Sequence, residues 1–244
     1  MVRRATVLIV ILLAVLLVVA CGKDAPIGND EAASTTAVAH SPTATTTTPA
    51  LPPRSARDGC EPVAPPRPSP TPTRRLSRKR LSVKHRYFAV LETNCGTIRI
   101  LLSVRRAPKT TSSFAGLVRN GFYDGLTFHR IAKPGGNDYV IQGGDPLGTG
   151  NGGPGFSVVE KPPKSTRYSR GVVAMAKTPD EAPGTSGSQF FIVTAPDTPL
   201  PPDYALLGRV LGDTSAVRRI AALATDPVSE MPVDPVVIAS VRVS

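Results

Sequence analysis

All 12 aromatic residues of this 244-residue chain lie between Tyr87 and Tyr204, and residues 1–86 contain none. A stretch without aromatic rings that is also dense in Pro, Thr and Ser cannot bury enough apolar area to offset the entropy lost on ordering. The distribution predicts one folded unit over residues 87–244 behind a long non-globular leader. That length supports a single core of ordinary size. It excludes a two-domain enzyme, and the single long apolar run excludes a polytopic membrane protein.

The leader itself divides in two. Arg3 and Arg4 precede Ala5 to Ala20, an uncharged run of 16 residues. Such a run is short for a spanning helix, which needs about 20 residues, and long enough for the apolar region of a secretory signal. It ends in Val18-Val19-Ala20-Cys21-Gly22, which looks like a bacterial lipobox. Residues 1–20 are therefore expected to be a lipoprotein signal peptide, with Cys21 the lipid-bearing first residue of the exported chain. An uncleaved anchor with an incidental cysteine is the alternative; either way the folded part is extracytoplasmic and attached to the cell membrane. Residues 21–86 hold 11 prolines between positions 22 and 85. Pro alternating with Ser and Thr favours extended, polyproline-like conformations, so this stretch is expected to be a disordered tether.

Charge follows the same division. The formal net charge is +11, yet residues 87–244 hold 16 Lys/Arg against 13 Asp/Glu. The excess gathers in Arg74, Arg75, Arg78, Lys79, Arg80, Lys84 and Arg86, with no acidic residue between them. This cluster suits either attraction to an anionic surface or a solvated, self-repelling tether. Export argues against nucleic acid as a partner. Two cysteines remain, Cys60 in the tether and Cys95 in a hairpin turn; in an oxidising exterior two such thiols can pair, strapping the tether to the folded unit. His40, His85 and His129 are scattered and no Cys/His cluster exists, so no metal site is expected.

Within the folded part, Tyr87–Thr93 and Ile98–Leu102 read as strands joined by the turn Asn94-Cys95-Gly96-Thr97. Pro108 opens a helix with Phe114, Leu117 and Val118 on one face, ending at Asn120-Gly121. Further strands are predicted at Thr127–Ile131, Tyr139–Gln142, Gly171–Ala176, Gln189–Thr194, Ala205–Val210 and Val236–Val243. A second helix is predicted at Thr214–Leu223. About eight short strands with only two helices, separated by Gly/Pro loops, favour a mainly β fold, a closed antiparallel barrel, over a parallel sheet.

One string is a decoy. Gly148-Thr149-Gly150-Asn151-Gly152-Gly153 has the spacing of a dinucleotide loop, but Pro154 and Gly155 follow and no helix opens to meet a pyrophosphate. The informative strings are Phe128-His129-Arg130-Ile131, Gln142-Gly143-Gly144-Asp145-Pro146 and Gly187-Ser188-Gln189-Phe190-Phe191-Ile192. They place an Arg, two Gln and several aromatics near strand ends without a nucleophile–base–acid set. Such a site can hold an apolar ring and hydrogen-bond a peptide backbone, and is poorly equipped for covalent chemistry.

Together and in this order, the three strings closely resemble cyclophilin-type peptidyl-prolyl cis-trans isomerases, over essentially all of residues 87–244. The resemblance implies a closed eight-stranded antiparallel β-barrel capped by two α-helices, with a proline-binding groove on its outer surface, and no cofactor. Rotation about an X–Pro bond crosses roughly 18–20 kcal/mol because the amide is conjugated. A catalyst must therefore favour the twisted amide over both planar forms. Twisting makes the proline nitrogen pyramidal, and a guanidinium set against it stabilises that form alone. By resemblance Arg130 takes this role. Tyr139, Val140, Phe191 and Leu200 would form the prolyl pocket, with Tyr204 as a wall. Gln142 would bond the substrate backbone, and Ala176 and Gln189 would line the adjoining groove. Lys177 stands near where the family commonly has Asn. Pro201-Pro202-Asp203-Tyr204 stands where eukaryotic forms carry Trp and His, which implies weaker binding of cyclosporin.

The first functional reading is a monomeric, lipid-anchored isomerase acting on proline-containing exported polypeptides as they fold. The alternatives are a non-catalytic proline-peptide-binding or chaperone module, and a surface adhesin in which the basic tether matters most.

Overall fold

The computed structural model describes residues 59–64, 66, 75–77 and 79–244. Cys21, the expected signal peptide over residues 1–20 and most of the expected tether lie outside the described residues. Ten strands and two helices follow one another: β1 Phe88–Thr93, β2 Gly96–Leu102, α1 Pro108–Arg119, β3 Thr127–Ala132, β4 Val140–Asp145, β5 Val158–Val159, β6 Val172–Met175, β7 Thr185–Ser186, β8 Phe190–Val193, β9 Leu206–Val210, α2 Ser215–Ala222 and β10 Ile238–Val243. Eight of the strands form one sheet in the order β10-β1-β2-β9-β6-β8-β4-β3, and every pairing in it is antiparallel. β5 and β7 pair separately.

The sheet curls into a nearly closed barrel. Its two edge strands, β3 and β10, approach each other where Thr127 bridges Val237. Phe128 N donates to Val236 O (2.9 Å) and Ile238 N to Leu126 O (2.8 Å), so the seam is held by a short patch of backbone bonds rather than a full ladder. The expected strand at Val236–Val243 thus splits: its first two residues close the seam, and the regular ladder with β1 begins at Ile238.

Alternation assigns the two faces of the sheet. Leu91, Ile98, Ile100, Phe128, Ile131, Ile141, Val173, Phe190, Ile192 and Leu207 are almost fully buried in the barrel interior. Their strand neighbours Ala132, Val140, Val172, Ala174, Phe191, Val193 and Leu206 form a second apolar cluster on the outer face. α1 packs against β9 and β10, and α2 against β2 and β4. α1 supplies Phe114, whose ring lies 4.9 Å from Tyr123 and 6.2 Å from Phe190. The helix opens with Pro108 and has no side-chain cap of its own. Glu160 replaces one, accepting bonds from Lys109 N (3.1 Å) and Thr110 N (2.8 Å) and placing a carboxylate at the positive end of the helix. The helix stops at Asn120, followed by Gly121 at φ 63°, a conformation that glycine adopts without the Cβ penalty.

The β1–β2 turn is tighter than the sequence suggests. The ladder continues to Thr93 opposite Gly96, leaving Asn94 and Cys95 as the turn. Asn94 uses its whole amide: Nδ2 donates to Glu61 O (2.8 Å) and Pro235 O (3.1 Å), and Oδ1 accepts from Val237 N (2.9 Å). Cys95 is joined to Cys60 by a disulfide that spans 35 residues of sequence. Glu61 N then donates to Asn94 O (2.7 Å), so the segment beginning at Cys60 runs against the hairpin. Ordered structure also precedes residue 87 on the other side of this stretch. Leu81 is 5% exposed and belongs to the core cluster, and its N–H donates to Ser112 Oγ (3.0 Å). A leucine at that point of a Pro- and Arg-rich sequence has no periodic partner, so only the tertiary structure reveals that it is buried.

Candidate active site on the outer face of the barrel

Four residues on four adjacent strands lie in one row. Arg130 on β3 is opposite Gln142 on β4, Gln142 is opposite Phe191 on β8, and Phe191 is opposite Ala174 on β6. Residues directly opposite in an antiparallel sheet have Cβ atoms about 4.5–5.5 Å apart and point to the same face. The row therefore sets a cation, an amide, an aromatic ring and a small residue side by side on the outer surface. Ala174 is fully buried beside Phe191, and Phe191, 4% exposed, forms the floor.

Aromatic side chains frame that floor. Tyr204 stands edge-on to Phe191 (centroids 5.4 Å apart, planes at 87°), and Tyr168 packs against both at 6.2 and 5.9 Å. The Tyr168 hydroxyl donates to Tyr204 O (2.6 Å) and accepts from Tyr204 N (3.1 Å), which fixes the backbone of the 201–204 loop. Burial pushes the Tyr168 phenol up to about 12, more than the bond it accepts from the Tyr204 N–H lowers it. Tyr139, Leu200 and Ala176, all half-buried, complete the apolar rim. Tyr139 lies just before β4, where its carbonyl accepts from Thr194 N (3.0 Å). Burial raises its phenol, Tyr204 nearby adds to this, and Arg130 opposes it.

A polar line borders the apolar floor. Arg130 Nε donates to Glu230 Oε2 (2.6 Å) and Nη1 to Gln142 Oε1 (3.2 Å). Gln142 Nε2 donates to Gln189 Oε1 (2.9 Å), and Gln189 Nε2 to the carbonyls of Gly150 (2.8 Å) and Gly152 (2.9 Å). The glycine loop with the misleading dinucleotide spacing thus ends this line. It is held from beneath by Asp145, whose carboxylate accepts from the N–H groups of Leu147, Thr149 and Gly150. A Cβ on Gly152 would collide with the Asp145 carboxylate, so the loop needs glycine there. No helix follows; β5 is the next element. A cavity of about 440 Å³ adjoins the polar line, lined by Gln142, Ala176, Lys177, Gln189 and part of the 150–157 loop. Lys177 Nζ bonds Thr178 O (2.9 Å) and Glu181 O (3.0 Å) and lies 5.8 Å from the Tyr204 ring centroid, between this cavity and the apolar floor.

Every folded-domain residue expected at the site gathers on this one face: Arg130, Tyr139, Val140, Gln142, Ala176, Gln189, Phe191, Leu200 and Tyr204. Tyr168 and Glu230 belong to it too and carry no signal in the sequence, since both lie in loops and reach the site only through long-range packing. Among the described residues no group of three or more His, Cys, Asp or Glu could hold a metal ion, and no helix is long and apolar enough to cross a membrane.

His129, beside Arg130 in sequence, lies away from this face and is 5% exposed, with neither ring nitrogen hydrogen-bonded in the structure. Burial lowers it below its ordinary value of 6.5, which the Asp145 carboxylate partly offsets and the Arg130 cation reinforces. The unfolded chain therefore takes up a proton near pH 6.5 that the folded chain resists. Stability is full above that pH and declines as pH falls below it. The denaturant midpoint is expected to drop between pH 7 and 5. In a His129→Asn variant the slope over that interval should flatten; an unchanged slope would show that His129 is not the responsible group.

The outer face of the barrel thus sets an arginine, a glutamine and a phenylalanine in register, a cation and an amide bordering an apolar floor. Residues 88–243 match the sequence profile of the family described as cyclophilin type peptidyl-prolyl cis-trans isomerase/CLD. The chain is 37% identical over 174 residues to peptidyl-prolyl cis-trans isomerase A of Mycobacterium tuberculosis, covering 64% of this chain and 91% of that protein. It is 40% identical over 152 residues to human peptidyl-prolyl cis-trans isomerase-like 1, covering 60% and 86%. The crystal structure of a Cryptosporidium parvum cyclophilin type peptidyl-prolyl cis-trans isomerase superposes with a TM-score of 0.60 at 28% identity, over 66% of this chain and 98% of that one. A crystal structure of the same protein in the presence of the dipeptide Ala-Pro superposes with a TM-score of 0.58. The chain belongs to the cyclophilin-type peptidyl-prolyl cis-trans isomerases, and its enzyme class is that of these isomerases.

Proposed function

We propose that the outer face binds X–Pro segments of exported polypeptides and speeds their cis-trans rotation, with Arg130 as the group that stabilises the twisted amide. The row Arg130–Gln142–Phe191–Ala174 carries this reading. It provides an apolar floor for the prolyl ring and, at one strand spacing from it, an amide and a guanidinium. With the ring on Phe191 and between Tyr139, Leu200 and Tyr204, the proline nitrogen faces the polar line. Gln142 and Gln189 hold the flanking backbone, and Arg130 meets the lone pair that appears only when the amide twists. No bond breaks and no proton transfer is needed, which fits a site without a nucleophile or general base. Binding alone would need the apolar floor and the amides but not the cation, and this favours catalysis over a passive peptide-binding module.

The setting is the other part of the proposal. The lipobox-like end of the apolar run supports attachment to the membrane through Cys21, and the pairing of Cys60 with Cys95 supports an extracytoplasmic setting. Spontaneous X–Pro exchange takes tens to hundreds of seconds at 25 °C, slow enough to limit the folding of secreted chains. Two experiments test the two parts. The isomerisation rate of an Ala-Pro peptide, with and without the protein, tests activity; no acceleration by well-folded protein would favour the binding module. Intact mass of the chain recovered from its native membranes should show loss of residues 1–20, an added lipid at Cys21 and no free thiol. A full-length, unlipidated mass would remove the lipid-anchored reading in favour of an uncleaved apolar anchor.

A further inference from the structure

We propose that Glu230 is the positioning residue for Arg130, fixing the rotation of the guanidinium so that its Nη side faces the proline nitrogen. The inference rests on the role given to Arg130 above.

Glu230 lies between α2 and β10, 100 residues from Arg130 in sequence, and its carboxylate Oε2 is 2.6 Å from Arg130 Nε. Among the described residues it is the one non-glycine residue with φ in the left-handed region, at 57°. A β-carbon there crowds the backbone, and such conformations persist where the surroundings hold them in place. The surroundings here are specific. Asp226 Oδ1 accepts from Val228 N (3.1 Å), Ser229 N (2.7 Å) and Ser229 Oγ (2.8 Å). Glu230 N donates to Asp226 O and Asp226 N to Met231 O, each at 2.9 Å. The closed loop is then fastened to β3, because Ile131 N donates to Glu230 O (2.8 Å). The backbone of Glu230 is thus bonded to the residue next to the arginine whose side chain its carboxylate holds.

The geometry of the guanidinium gives this arrangement its consequence. Arginine has a planar fork of five N–H groups. Glu230 takes the Nε–H, and Gln142 takes one hydrogen of Nη1. Two acceptors at different corners fix both the position of the plane and its rotation, and leave the Nη2 hydrogens and the second Nη1 hydrogen for a bound peptide. With Gln142 alone, the long side chain could pivot about a single bond. A merely structural ion pair would tie the loop to β3 without any requirement at the Nε corner. The backbone bond from Ile131 already makes that tie.

The test compares Glu230→Ala and Glu230→Gln with Arg130→Ala in the full chain, using an Ala-Pro peptide and thermal unfolding as a fold control. Glu230→Gln keeps an acceptor at Nε without the charge. Glu230→Ala is expected to lower kcat about tenfold with KM within about twofold, and Glu230→Gln to stay within about threefold of wild type. The Arg130→Ala/Glu230→Ala double variant should be no slower than Arg130→Ala alone, since the glutamate acts only through the arginine. Wild-type kcat in Glu230→Ala, losses in Glu230→Gln equal to those in Glu230→Ala, or additive losses in the double variant would each overturn the assignment. If instead Arg130→Ala itself retains full activity, the fault lies with the role of Arg130 and not with Glu230.

Discussion

Arg130→Ala is expected to reduce kcat/KM for an Ala-Pro peptide by at least about tenfold while leaving the protein folded. The factor corresponds to a loss of some 1.4 kcal/mol or more of transition-state stabilisation, a modest part of a barrier of roughly 18–20 kcal/mol. On the proposed reading the remainder of the acceleration comes from the apolar floor and the amides, which would hold the prolyl ring while the rest of the bond turns. The fold should survive because Arg130 is only half-buried: its side chain is 39% exposed, and its partner Glu230 is 32% exposed. An ion pair so placed contributes little to stability. The loss should fall mainly on kcat, since the planar ground state offers the guanidinium no lone pair at nitrogen. A variant that binds the peptide less tightly but turns it over normally would reassign Arg130 from catalysis to binding.

The second large effect separates two neighbouring phenylalanines. Phe190 is fully buried and its ring is packed against Phe114, Tyr123 and Phe128 at centroid distances of 6.2, 6.0 and 5.7 Å. Phe190→Ala opens a cavity inside the barrel and is expected to cost about 3–5 kcal/mol of unfolding free energy. That is a large share of the 5–15 kcal/mol typical of a whole domain. Activity per folded molecule should stay within about threefold of wild type, because the row on the other face is untouched. Phe191→Ala should behave in the opposite way, lowering kcat/KM by about tenfold or more through loss of the prolyl floor. Its cost to stability should be the smaller of the two, since Phe191 packs on the outer face beside the half-buried Tyr139, Leu200 and Tyr204, whereas Phe190 fills the barrel interior. Denaturation curves and peptide kinetics on both variants decide the matter. Equal losses of both kinds in both variants would mean that the two faces of β8 are not separated in function.

That division was legible in the sequence because a strand has a period of two. Once Gln189–Thr194 reads as a strand, Phe190 and Phe191 must point to opposite faces. The same logic located all eight strands of the main sheet and both helices, and the three motif strings carried Arg130, Gln142, Gln189 and Phe191. β5 and β7, two residues each, are too short for any periodic pattern. The seam escaped notice because nothing in Val236-Val237 marks which edge it will meet. Tyr168 and Glu230 illustrate the more general limit. Each is a single residue in a loop, and each reaches the site through bonds to residues 36 and 100 positions away. Local pattern holds no record of such pairings. Asp145 and the glycine loop show the reverse case, a string whose spacing suggested one ligand and whose carbonyls instead anchor Gln189.

The row of four lies across the convex outside of the barrel, not in a cleft between halves or at the end of a tunnel. A long polypeptide can therefore rest on it anywhere along its length, with both ends free in solvent. It needs no terminus to thread inward, and no folded part of the client has to pass through an opening. Proline bonds in the middle of a partly collapsed chain are as reachable as those near its ends. Departure requires only that the ring lift off Phe191. On the proposed reading, such a site suits brief visits to different clients rather than long residence on one.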